Sequence, residues 1–208
     1  MISTKLTALG VAVLEMLHEK PMHPYEMAQL MRERYVDDRV KLKAGSLYHT
    51  VERLLRNGFV EVTETQRDGR RPERTVYAMT PAGKDAFVQR ARQMLGDVAP
   101  EYPELLSGLA AIDDLGHETS LLELEHRITR LRAAVAADEV ILGRLRTDGT
   151  PEAYWLDVRY AAAHREFELA WVRRLHADLS SGRIPFPSDG TPKPDLNLVK
   201  EGHARQTG

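Results

Sequence analysis

The segment over residues 42–58 constrains the chain most. Leu47, Val51, Leu54 and Leu55 recur at helical spacing and give one apolar face, while Ser46, His49, Thr50 and Arg53 share the other. Asn57-Gly58 closes the helix, since glycine tolerates the left-handed conformation at a helix C-terminus. The outer face carries short hydrogen-bonding groups, an imidazole and a guanidinium, the side-chain types that reach base edges in a major groove. An ordinary surface helix with a mixed polar face fits the same pattern, so the flanking sequence must decide.

Upstream, Leu6, Leu9, Val13, Leu14 and Leu17 form the stripe of a first helix that Ser3 or Thr4 can cap and that stops near Lys20-Pro21. A second helix begins at 22–26, with Pro24 in its first turn, and runs through Met27, Leu30 and Met31 to about Tyr35. A polar connection over 36–43 leads into the organising helix, which predicts a helix-turn-helix.

Downstream, residues 59–64 and 75–79 alternate apolar and polar, as strands do. Between them lies a basic tip containing Arg67, Arg70, Arg71 and Arg74, with Asp68-Gly69 supplying turn chemistry. A solvated charged turn is the plainer reading of that loop. Thr80 as cap and Pro81 at the first position open another helix, which reaches about Leu95.

Charge divides the chain in the same place. Residues 1–95 hold 16 Lys+Arg against 12 Asp+Glu, net +4, and the remainder holds 13 against 19, net −6. A basic front and an acidic back suggest a nucleic-acid face on the first half. The boundaries expected are a winged helix-turn-helix over 1–95, a linker over 96–103, a helical, coiled-coil-like domain over 104–180 and an irregular tail over 181–208.

In the second half a short helix is expected from Tyr102 to about Leu115. A long one follows, with Leu121, Leu124, Ile128, Leu131, Val135, Asp138, Leu142 and Leu145 spaced alternately by three and four residues, a coiled-coil seam. Asp138 is its one charged member and calls for an arginine partner or for solvent. The last helix, about 151–179, has two opposed apolar arcs: Tyr160, His164, Phe167 and Trp171 on one side, Trp155, Val158, Ala162 and Leu169 on the other.

The segments Pro21-Met22-His23-Pro24-Tyr25-Glu26-Met27, Gly45-Ser46-Leu47-Tyr48 and 70–83 together resemble the PadR family of bacterial transcriptional regulators. Pro24 stands where that family more often has glycine, which alters the start of the second helix. The resemblance implies a mainly α protein: an N-terminal winged helix-turn-helix with a two-stranded wing, and a C-terminal helical dimerisation domain. It further implies a homodimer that binds a pseudo-palindromic operator on double-stranded DNA, usually as a repressor, and often releases it when a small molecule binds. Carried over by position, it puts Ser46 and Tyr48 at the start of the recognition helix and Arg70 and Arg71 in the wing. The residues expected to meet DNA are therefore Lys43, Ser46, Tyr48, His49, Thr50, Arg53, Arg67, Arg70, Arg71 and Arg74.

For an effector, expected to be a small apolar or aromatic compound, the candidates are Trp155, His164, Phe167 and Trp171, although aromatics at helical spacing are more often core. The eight histidines show no paired metal-binding spacing, and no phosphate loop or nucleophile elbow is present, so neither an enzyme, a metal site nor a cofactor is expected. Zero cysteines exclude disulfides and thiolate chemistry. No apolar run spans a membrane and no signal peptide opens the chain, which makes a cytoplasmic protein the simplest expectation. The competing function is a ligand- or protein-binding module on a winged-helix scaffold that does not bind DNA. An RNA binder would need an exposed aromatic sheet or clamp loops, which the sequence lacks.

Overall fold

The computed structural model describes residues 6–66 and 74–187, with Asp38, Thr65, Gln66 and Arg74 described by backbone alone. The chain divides into two compact units, the division falling after Glu101.

In the first unit, α1 (Ala8–Glu19) is the centre of the core. Gly10 to Leu14, Met16 and Leu17 are all buried, and the helix packs on four other elements: α2 (Pro24–Glu33), α3 (Ala44–Arg56), β2 (Arg74–Met79) and α4 (Pro81–Gly96). A helix apolar on nearly every side must be surrounded. Its cap is Thr7, whose Oγ1 accepts the Gly10 N–H at 3.1 Å, so the helix begins later than a cap at Ser3 or Thr4 would place it.

A reciprocal cap starts α2. His23 Nδ1 accepts the Tyr25 N–H at 3.0 Å, Glu26 Oε2 accepts the His23 N–H at 3.0 Å, and Pro24 occupies the first turn, where its missing N–H costs nothing. The connection to α3 is less polar than its sequence suggests: a 3-10 turn over Val36–Asp38 buries Val36, and Val40 is buried beyond it.

Two strands, β1 (Val60–Gln66) and β2, pair antiparallel from Val60↔Met79 outward, with a register shift between Val62 and Glu64. Tyr77 also exchanges both backbone hydrogen bonds with Met22, at 3.0 and 3.2 Å, which fastens the hairpin to the segment before α2. The base of the hairpin is locked to α4. Thr80 Oγ1 donates to the Gly58 carbonyl at 2.7 Å and accepts the Gly83 N–H at 3.0 Å. Only glycine fits at position 83, because a Cβ there would lie 2.0 Å from the Phe59 carbonyl oxygen. Helix, helix-turn-helix, two-stranded hairpin and capped helix form a winged helix-turn-helix, and the chain is mainly α.

The second unit comprises α5 (Glu104–Ala110), a 3-10 turn over Ile112–Leu115, α6 (His117–Thr147), a 3-10 turn over Glu152–Tyr154 and α7 (Leu156–Ser180). Helices α6 and α7 form an antiparallel hairpin. Leu124 and Ile128 pack with Leu169, Val172 and Leu179 at one end, and Leu142 packs with Trp155 and Ala162 at the other. Between these clusters Asp138, 5% exposed, accepts two hydrogen bonds of 2.7 Å from Arg165. The arginine partner that a buried carboxylate requires is therefore supplied by α7.

Within one chain the α6 seam packs on the inner arc of α7, which buries Leu124, Ile128 and Leu142 and leaves Leu121, Leu131, Val135 and Leu145 partly covered, while the outer arc of α7 is exposed, with Tyr160 at 73% and Phe167 at 67%. No described helix is long and apolar enough to cross a membrane.

Candidate nucleic-acid interface

Helix α3 turns a mainly apolar face to the core and a polar one outward. Leu47, Val51 and Leu54 are each 1% exposed. Thr50 joins them at 6% exposed, which corrects its assignment to the outer face. Positions 47, 50, 51 and 54 lie on one stripe, and the Thr50 methyl sits near Gly10 of α1. The face that meets solvent is Gly45, Tyr48, His49, Glu52 and Arg56, flanked by Ser46 and by Lys43 at the N-cap.

Within that face the His49 side chain is 83% exposed, with its Nδ1 3.6 Å from Glu52 Oε2. Tyr48 is held more firmly: its ring meets the His23 ring edge-on at 6.4 Å, so the first turn of α3 and the cap of α2 brace one another. Tyr77 lies behind them, and burial pushes its phenol above the usual range, with Glu52 and then Tyr48 adding to the effect.

Arg53 is placed differently from the expectation. It is half-buried and its Nη2 donates to Thr7 Oγ1 at 3.0 Å, a contact to the start of α1 instead of a free reach outward. In the wing, Arg67, Arg70 and Arg71 lie outside the described residues, and of Arg74 only the backbone is described, at the start of β2. Sequence reasoning missed Lys41, which lines a cleft with Lys43 and Ser46, and the exposed Arg56 in the last turn of α3. A cation on helical spacing from His49 and Glu52 was the available signal for Arg56. Nothing local marked Lys41.

The four effector candidates do not come together. His164, Phe167 and Trp171 line a groove of about 440 Å³ in the second unit, where they face Leu105, Leu106 and Leu109 of α5. An ion pair floors it, Arg127 Nε donating to Glu168 Oε1 at 2.7 Å. Trp155 is elsewhere: it is 6% exposed, packed in the Leu142 and Ala162 cluster, and its Nε1 donates to the Thr150 carbonyl at 3.0 Å. It is a core residue, which corrects its place among the ligand candidates. Among the described residues, no group of three or more histidine, aspartate or glutamate side chains is gathered as a metal site would need.

No curated protein matches the chain in sequence. Residues 13–89 match the transcriptional regulator PadR-like family. Bacillus subtilis PadR in complex with operator DNA is similar over 83% of this chain and 99% of its own, at 17% identity and a TM-score of 0.68. The same protein in complex with p-coumaric acid matches over 84% of this chain and 99% of its own, at 15% identity and 0.65. The Vibrio cholerae virulence activator AphA matches over 83% and 98%, at 18% identity and 0.66. These likenesses extend across both units and show a shared fold.

Proposed function

With residues 13–89 forming a PadR-like family domain, we propose that the chain is a sequence-specific DNA-binding transcriptional regulator. The observation that carries this reading is the outer face of α3. A helix buried along one stripe presents Ser46, Tyr48 and His49 to solvent, with Lys43 at its N-terminal end. Helices of this kind enter a major groove N-terminus first, and the residues near that end contact base edges. To Arg67, Arg70, Arg71 and Arg74, the arginines between and at the start of the hairpin strands in sequence, this reading assigns phosphate or minor-groove contacts.

The finer reading is a homodimeric repressor on a pseudo-palindromic operator, released by a small effector. Support for the dimer comes from the exposed arc of α7, since the α6 seam packs on α7 within one chain and Tyr160 and Phe167 remain as an apolar surface. Support for the effector comes from the groove beside Phe167 and Trp171, which has the size and the apolar lining of a small-molecule site. A solved structure of Bacillus subtilis PadR holds p-coumaric acid, so a fold of this kind accommodates a small aromatic ligand.

The test is binding to a duplex taken from the DNA upstream of the gene, against a random duplex of equal length. The regulator reading expects tighter binding to the former and a linear fall of log affinity with log salt as counterions are released. Equal and salt-insensitive affinities would instead favour the module that does not bind DNA.

A further inference from the structure

Beside the start of α3 lies a cleft of about 540 Å³, walled by the first turn of α1 on one side and by Arg39, Lys41, Lys43 and Ser46 on the other. No acid lines it. Arg39 is met by Glu15 at 2.6 Å, so the exposed Lys41 and Lys43 give the cleft its charge.

The α1 wall is fixed from two directions. The Leu6 carbonyl accepts from Arg90 Nε of α4 at 3.0 Å, and the Thr7 hydroxyl accepts from Arg53 of α3 at 3.0 Å. A cleft held this way keeps its shape when a ligand enters, which reduces the ordering cost of binding.

Gly45 supplies an independent observation. It lies exposed in the first turn of α3, and a Cβ built on it would meet nothing within 4 Å. Glycine in a helix is less stable than alanine, and no contact inside the protein asks for it here. What a missing methyl at such a site permits is the close approach of something outside the chain.

We propose that the cleft seats a backbone phosphate of the bound duplex, with Lys41 and Lys43 as its counter-charges and Gly45 leaving room for the strand to pass α3. The inference rests on the regulator reading and adds a contact that sets register and affinity without reading sequence.

The experiment is fluorescence anisotropy of the full chain on the upstream duplex and the random duplex over a range of salt. Lys41→Gln is expected to lower the magnitude of the log–log salt slope by about 0.9, the release from one phosphate contact, with the same fold-loss on both duplexes. Gly45→Ala is expected to raise the melting temperature and to weaken both duplexes, an opposition that a purely structural glycine would not produce. An unchanged slope for Lys41→Gln, or wild-type affinity for Gly45→Ala, would overturn the site while the regulator reading stands. If the wild-type chain binds neither duplex in a salt-dependent way, the regulator reading falls and the site falls with it.

Discussion

The hydroxyl of Thr7 accepts a hydrogen bond from Arg53 at 3.0 Å, which ties the last turn of α3 to the cap of α1. Thr7 thereby does two jobs, since the same oxygen also accepts the Gly10 N–H. Arg53 acts through this contact as a positioning residue for α3. Arg53→Ala is expected to reduce binding to specific and random duplexes by a similar factor and to cost about 1 kcal/mol of stability. A loss confined to particular base substitutions in the operator would return Arg53 to base readout.

The Asp138 and Arg165 pair sits in the joint of the second unit, and removing one member should hurt more than removing both. Asp138→Ala removes the buried acceptor of two 2.7 Å hydrogen bonds from Arg165 and is expected to cost about 3 kcal/mol in urea denaturation. Asp138→Leu combined with Arg165→Met should be neutral or stabilising by about 1–4 kcal/mol. If the double variant is as unstable as the single one, the pair contributes net stability that apolar packing cannot replace.

The two tryptophans should separate in fluorescence. Trp171, 40% exposed, lines the groove, and Trp155 is buried. A small aromatic compound that releases DNA should quench emission in Trp155→Phe and lose its signal in Trp171→Phe. The reverse pattern would move the ligand to the far end of the hairpin.

Dimerisation should follow the outer arc of α7 and not the α6 seam. Tyr160→Glu with Phe167→Glu is expected to give folded monomers in sedimentation, because both side chains are exposed in a single chain. Leu131→Gln with Leu142→Gln should instead lower the melting temperature, by removing core contacts within the hairpin. Folded monomers from the second pair would show that the seam joins two chains after all.

Much of this architecture was legible in the sequence, for local reasons. Thr80-Pro81 marks a helix start by capping chemistry, and Leu47, Val51 and Leu54 mark a buried stripe by period alone. The same period allowed Thr50 on the buried side, but its hydroxyl suggested the polar face, while its methyl is what the core accepts. Helical spacing had already put Trp155 and Trp171 on opposite arcs of α7, and only their shared chemistry grouped them. The seam of α6 shows where a partner helix must lie and carries no information on whether that helix belongs to the same chain. Lys41 was missed because the wall that turns its surroundings into a cleft comes from residues 7–9, more than thirty residues away in sequence, and tertiary contacts of that kind leave no local pattern.

His49 tests the central claim most directly, since its side chain is 83% exposed on the outer face of α3 and meets only Glu52 of the same helix, at 3.6 Å. The measurement is the ratio of affinities for the upstream and random duplexes, taken for the wild type and for His49→Ala at fixed salt. The account predicts that the ratio falls by an amount equivalent to about 1–3 kcal/mol, with affinity for the random duplex and the salt slope unchanged. An unaltered ratio, in a variant that melts like the wild type, would contradict base reading by this face of α3.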